Sequence, residues 1–171
     1  NGGPPPGRFE DWEHEQWLAA LESNLLAPAA LIRALLPGMR ERRFGRIVNI
    51  TSAMVKTPVA PMALSTTARS GLTALCKSIS KPAAPFNVTI NNLLPERFDT
   101  DRQIEMANTV SKLSGVTFEE ARAQQVASIA AGRLGLPSEF GDACAFLCSA
   151  QASFISGQNL QLDGGSYDGL I

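Results

Sequence analysis

Cys144 and Cys148 lie four residues apart on a helical pattern, a spacing at which two thiols could hold a soft metal ion or cycle as a redox pair. No histidine and no further cysteine lies near them in sequence. The plainer expectation is two small thiols on an apolar helix face, and no metal site. With Cys76 the cysteines are odd in number and suggest no disulfide framework. His14, the only histidine, sits between Glu13 and Glu15 at a helix start and reads as solvated. Ser52 closes a β-branched run; a hydroxyl there could serve a substrate carbonyl or only a local hydrogen bond. The planar fork of Arg69 suits a phosphate or carboxylate, and equally a neighbouring subunit. Thr100 stands where a helix N-cap belongs. Asn24 falls mid-helix, where asparagine is merely tolerated. The sole tyrosine, Tyr167, lies in the C-terminal tail.

The elements that must position these residues follow from periodicity. Asp11 is the expected cap of a first helix, on which Trp17, Leu18, Leu21, Leu25, Ile32 and Leu35 recur at helical spacing. Pro28 predicts a kink within it. Pro37-Gly38 predicts its end, and Arg40, Arg42 and Arg43 suit a helix C-terminus. The run 46–52 reads as a strand, 65–81 as a helix, and 87–94 as a strand ended by Pro95. Further helical patterns cover 101–115, 118–131 and 137–149, and a short strand runs from Gln158 to Leu162 after a turn at Ser156-Gly157. Strands alternating with helices imply parallel pairing, so the predicted fold class is α/β, a narrow parallel sheet of about three strands with flanking helices. Asn49-Ile50-Thr51 and Asn87-Val88-Thr89 match the glycosylation pattern but fall in predicted strands, which argues against its use.

Composition bounds the class. The 171 residues fit one domain, and 44% hydrophobic against 18% charged is an ordinary globular mixture. Fifteen basic against sixteen acidic residues give a net charge of −1, which offers nothing to nucleic acid. No unbroken run of 18 apolar residues occurs and the opening Asn-Gly-Gly-Pro-Pro-Pro-Gly is not a signal peptide, so no membrane span and a cytoplasmic location are expected.

Six segments in order resemble one known family. Asn1-Gly2-Gly3 is similar to the end of an Asn-Asn-Ala-Gly motif, and Asn24 sits where the family's helix carries an asparagine. Gly45 to Ser52 resembles a strand ending in a catalytic serine. Val88 to Pro95 with Thr100 resembles a strand and Pro-Gly-x-x-x-Thr segment. Gly132 to Glu139, and Gly157-Gln158 with Asp163-Gly164-Gly165, resemble C-terminal signatures. The family is the short-chain dehydrogenase/reductases, and the branch resembled is that of the bacterial 3-oxoacyl-carrier-protein reductases.

The resemblance implies a Rossmann-type fold, of which this chain would be the C-terminal half, a single truncated domain over 1–171. It implies an oxidoreductase acting on a carbonyl or alcohol with NAD or NADP. Ser52 and Asn24 would be catalytic positions, and Asn1, Gly2, Pro95 and Thr100 cofactor contacts. Three departures qualify it. No glycine-rich dinucleotide turn occurs in the sequence. The usual spacing after Ser52 places Ser65 and Arg69 where the family has its catalytic tyrosine and lysine. The Pro-Gly step is Pro95-Glu96, whose charge would repel phosphate if it pointed inward. Little or no activity is therefore expected of this chain alone, and whether it holds a dinucleotide is open. The alternative is a non-catalytic remnant acting as an interaction module. In either case the family's interfaces imply a homo-oligomer through helices 11–43 and 65–81 and the last strand.

Overall fold

In the computed structural model, which describes residues 3–170, the strand Val88–Pro95 is the middle of a three-stranded parallel sheet. We label it β2; β1 is Gly45–Ile50 and β3 is Asn159–Leu162. The register pairs Gly45 with Val88 through to Ile50 with Leu93, and Asn92 with Asn159 through to Pro95 with Leu162. β2 is buried along almost its whole length, as a parallel strand covered on both faces must be. Its alternate side chains divide between two cores. Val88 and Ile90 pack with Ile32, Leu72, Cys76 and Ala83 on one side. Leu93 packs with Leu147 and Ala152 on the other.

The first core belongs to helices α2 (Ala27–Glu41) and α3 (Ala63–Ala83), the second to α6 (Pro137–Cys148). Helix α1 (His14–Leu21) runs into α2 through a π-helical turn, Glu22–Leu26. Helices α4 (Asp101–Ser114) and α5 (Phe118–Val126) pack on each other beyond the end of β2. Two buried asparagines fasten β3 to β2. Asn91 donates to Ile155 O at 2.8 Å and accepts from Gln158 N at 3.0 Å, and Asn92 donates to Asn159 Oδ1 at 2.8 Å. Between them lies Gly157 at φ +71°, where a β-carbon would collide with Ser80 Oγ of α3 at 2.6 Å. Lys77 Nζ donates to the Gly157 carbonyl at 3.0 Å and ties the same turn to α3.

The α/β class, the parallel pairing and the strand count agree with the sequence reading; several boundaries do not. The helix does not stop at Pro37. Leu36 and Met39 still pack on the first core, and the hydrogen bond Pro37 cannot make would go to the carbonyl of solvent-exposed Arg33. Asp11 does not cap α1. It ends a 3-10 turn with its carboxylate on Arg8, and the first turn of α1 is closed instead by Glu13 N donating to Gln16 Oε1 at 2.7 Å. The helix expected over 118–131 ends at Val126, because Arg97 takes the carbonyl of Gln125 and the hydroxyl of Ser128. β1 ends at Ile50, so Ser52 lies just past the strand.

Helix α1, the π turn and α2 form one continuous run, His14–Glu41, that is long and apolar enough by length and composition to cross a membrane, its most apolar 18-residue stretch having a mean hydropathy of 1.3. Glu22, Ser23, Asn24 and Arg33 interrupt it, so it contains no unbroken apolar stretch of 18. The run carries buried Asn24 and seats Ile32 in the core, yet leaves Leu18, Leu31 and Leu35 more than half exposed.

Candidate functional site

A cleft of about 800 Å³ opens where β1 and β2 end, walled by the loop after β1, the start of α3, the segment 95–106 and the tail. Parallel strands place their carboxyl ends, and so their ligand sites, on one side of a sheet. Thr51 keeps the end of β1 on β2, donating its N–H to Leu93 O at 2.9 Å. Ser52 follows in extended conformation and lines the cleft. Its Oγ accepts from Met54 N at 3.2 Å, which caps the 3-10 turn Ala53–Val55. That bond leaves the hydroxyl proton for another acceptor.

In the first turn of α3, Ser65 is buried and Arg69 lies four residues on, on the same face. Arg69 Nε donates to Ser65 Oγ at 3.0 Å, and Nη1 donates to Thr51 O at 2.9 Å and Ile50 O at 3.3 Å. The guanidinium thus joins the helix to the end of β1. Burial, and then the nearby charge of Arg102, pull its pKa below the ordinary value. Pro95 and Thr100 line the same cleft. Thr100 stands at the N-cap of α4 but its hydroxyl makes no capping bond. Glu96 also lines the cleft, but its carboxylate is matched by Arg97 at 2.8 Å, so it does not stand as a bare negative charge.

Asn24 is not brought to the cleft. It is buried in the π turn, and its Nδ2 donates to Ser23 Oγ at 2.7 Å and Ala20 O at 3.3 Å. Pro28, four residues on, has no N–H for the Asn24 carbonyl, and the widened turn sits at that point. The irregularity predicted at Pro28 therefore falls one turn earlier. Asn1 and Gly2 lie outside the described residues. Gly3 borders the cleft, and a β-carbon on it would come within 3.3 Å of Arg69 Nη2.

Tyr167, set aside as a tail residue, also lines the cleft. Asp163 brings it there by accepting from Gly165 N and Tyr167 N, each at 3.0 Å. Lys56 Nζ lies 5.2 Å from the centre of the Tyr167 ring. The only sequence sign of this placement was the Asp163-Gly164-Gly165 turn.

The other candidates stay outside. Burial pushes the Cys76 thiol up to about 11, and Asn49 Nδ2 donates to its sulfur at 3.1 Å. Burial and neighbouring Cys148 raise Cys144, which disfavours the reactive thiolate. Among the described residues no three His, Cys, Asp or Glu side chains gather as a metal would require. His14 is exposed at the start of α1.

The fold agrees with that of related proteins. A family model described as Enoyl-(Acyl carrier protein) reductase matches residues 2–167. The chain belongs to the short-chain dehydrogenase/reductase family. It is 33% identical over 155 residues to the 3-oxoacyl-[acyl-carrier-protein] reductase FabG of Vibrio cholerae, covering 91% of this chain and 59% of that protein. It is 32% identical to the NADPH-dependent reductase BacG of Bacillus subtilis, covering 96% and 63%. The crystal structure of YwfH, an NADPH-dependent reductase involved in bacilysin biosynthesis, superposes with a TM-score of 0.92 at 31% identity, over 99% of this chain and 65% of that one. The chain thus spans about three fifths of the length of these curated relatives.

Proposed function

We propose that this chain is the C-terminal, substrate-side portion of a short-chain dehydrogenase/reductase acting on a carbonyl or its alcohol, and that alone it turns over slowly or not at all. The observation that carries this is the Ser65–Arg69 unit. It opens onto the same cleft as Ser52, at the spacing where the family resemblance puts tyrosine and lysine. The residues present suit the nicotinamide end of a dinucleotide. Pro95 and Thr100 line the cleft, Gln161 Oε1 is buried without a donor among the described residues, and Glu96 is neutralised by Arg97. NAD or NADP, when bound, supplies or accepts the hydride.

Ser52 hydrogen-bonds the carbonyl oxygen through its hydroxyl and keeps its own proton. Ser65, held by Arg69 Nε, or a water beside it, passes a proton to that oxygen. Arg69 keeps its charge and gives electrostatic support without moving a proton. A serine hydroxyl is far less acidic than a phenol, and a missing positioned acid typically costs about 10²–10⁴ in rate. Asn24 shapes the π turn and has no substrate contact. The free thiols Cys76, Cys144 and Cys148 fit a reducing, cytoplasmic setting.

The test is fluorescence titration of the 171-residue protein with NADPH and NADH. Little or no saturable binding below millimolar, with no carbonyl reduction, is expected. Micromolar binding with rapid reduction would overturn the claim of low activity.

A second reading is favoured by the exposed leucines of His14–Glu41: the chain assembles with a second copy through helices α1–α3 and the region of β3. Leu18, Leu31 and Leu35 are 52%, 65% and 55% exposed on that run, and a homo-oligomer interface would cover them. Sedimentation velocity should show a dimer or larger species at micromolar protein, and Leu31→Asp with Leu35→Asp should release monomer. A stable wild-type monomer would exclude this assembly.

A further inference from the structure

The cleft holds more positive charge than its own structure uses. Its walls carry three arginines, Arg69, Arg97 and Arg102, and one carboxylate, Glu96. Arg97 is satisfied by Glu96, Gln125 and Ser128. Arg69 and Arg102 are not paired with any carboxylate among the described residues. Three hydrogen bonds through Nε and Nη1 fix the plane of the Arg69 guanidinium, and Nη2 is left beside Gly3 with no acceptor among those residues. Arg102, in the first turn of α4, is exposed in the wall and makes no hydrogen bond or ion pair to the described residues. Two guanidinium groups in one cleft, one half-buried and held in place and one exposed, repel each other unless an anion lies between them.

The rest of the wall says what accompanies that anion. Met54, Met62 and Met106 give the cleft an apolar, adaptable lining. We propose that Arg69 and Arg102 clamp the anionic group of the substrate, a carboxylate or phosphate, and that the ligand is an anionic compound with an apolar body lying against the three methionines. That it is also a carbonyl compound rests on the function proposed above; the clamp itself does not. Ser52 and Ser65 border the same space, so a carbonyl close to the anionic group, as in a 2-oxo acid, would lie within the cleft with its charge at the arginines.

Isothermal titration of the 171-residue protein, without dinucleotide, separates these statements. The probes are phenylpyruvate, phenyl phosphate and the neutral 4-phenyl-2-butanone. At low salt at least one of the two anions should bind about ten-fold or more tighter than the neutral ketone, with the advantage shrinking as salt rises. Arg102→Gln should remove most of that advantage and Arg102→Lys should keep part of it. Tighter phenylpyruvate identifies a carboxylate ligand, and tighter phenyl phosphate a phosphate ester. Equal binding of the neutral ketone, no binding of either anion, or an Arg102→Gln protein that binds both as before would each overturn the clamp. So would NADPH displacing the anions while Arg102→Gln weakens NADPH by the same factor, since the arginines would then serve the dinucleotide's phosphates. Because nothing in the experiment turns over, a failure of hydride transfer leaves its result intact.

Discussion

Arg69 works through direction as much as charge. Its fork reaches Ser65, Ile50 and Thr51 at once, and a lysine ammonium on a flexible stem could not hold all three in one plane. Arg69→Lys alone should therefore loosen the junction between β1 and α3 without improving proton transfer. Ser65→Tyr with Arg69→Lys should do the opposite, restoring an acidic hydroxyl beside an ammonium. In protein supplied with dinucleotide and a carbonyl substrate, stopped-flow measurement of hydride transfer should show a gain approaching about 10² or more for the double variant. No gain would mean that Ser65 and Arg69 are not what limits the rate. Ser52, Ser65, Arg69, Pro95 and Thr100 were legible through the family resemblance, whose motifs and spacings are short segments of the sequence. Tyr167, Arg102 and Gln161 were not, because only the assembled sheet and the folded tail bring them to one opening. Asn24 came from the same resemblance and lies outside the lining of the cleft. Its side chain closes on Ala20 and Ser23, within its own turn.

Element boundaries were set where tertiary contacts overrode local signals. Pro37 is a strong stop in sequence, but the burial of Leu36 and Met39 carries α2 to Glu41. The starts of α4 and α5 agree with the sequence reading, and the structure closes the first turn of α5 with a Thr117–Glu120 capping box that the sequence reading did not name. The start of α6 offers a pH test of the same kind. Glu139 accepts from Arg133 Nη2 at 2.6 Å and from Leu136 N at 2.7 Å, and these bonds, Arg133 first, hold its carboxyl down at about 2. A depressed carboxylate contributes stability that is complete above its ordinary value of 4.5 and lost as pH falls toward 2. The pair is exposed, so the contribution is small. Amide exchange in the first turn of α6 should be faster in Glu139→Gln than in wild type at pH 7, and the difference should close as the pH approaches 2.

On the scale of the whole molecule, stability rests on the two cores that meet across β2. Ile90 is fully buried and its side chain belongs to the cluster on the α2–α3 side. Ile90→Ala should cost about 2–5 kcal/mol in denaturant unfolding and leave the Leu93 cluster packed. The sheet's edges are less secure. β1 pairs only with β2 among the described strands, and β3 is four residues long. The cleft spans this sheet and is closed by opposite ends of the described chain, Gly3 on one side and Ser166 and Tyr167 on the other. In the 171-residue protein both segments are chain ends, which as a rule loosen before a central sheet on warming. The pocket should melt ahead of the scaffold. On a temperature ramp followed by both circular dichroism and phenylpyruvate titration, the capacity to bind should fade while the helical signal is still intact, a premelting confined to the two strands of chain that meet at its mouth.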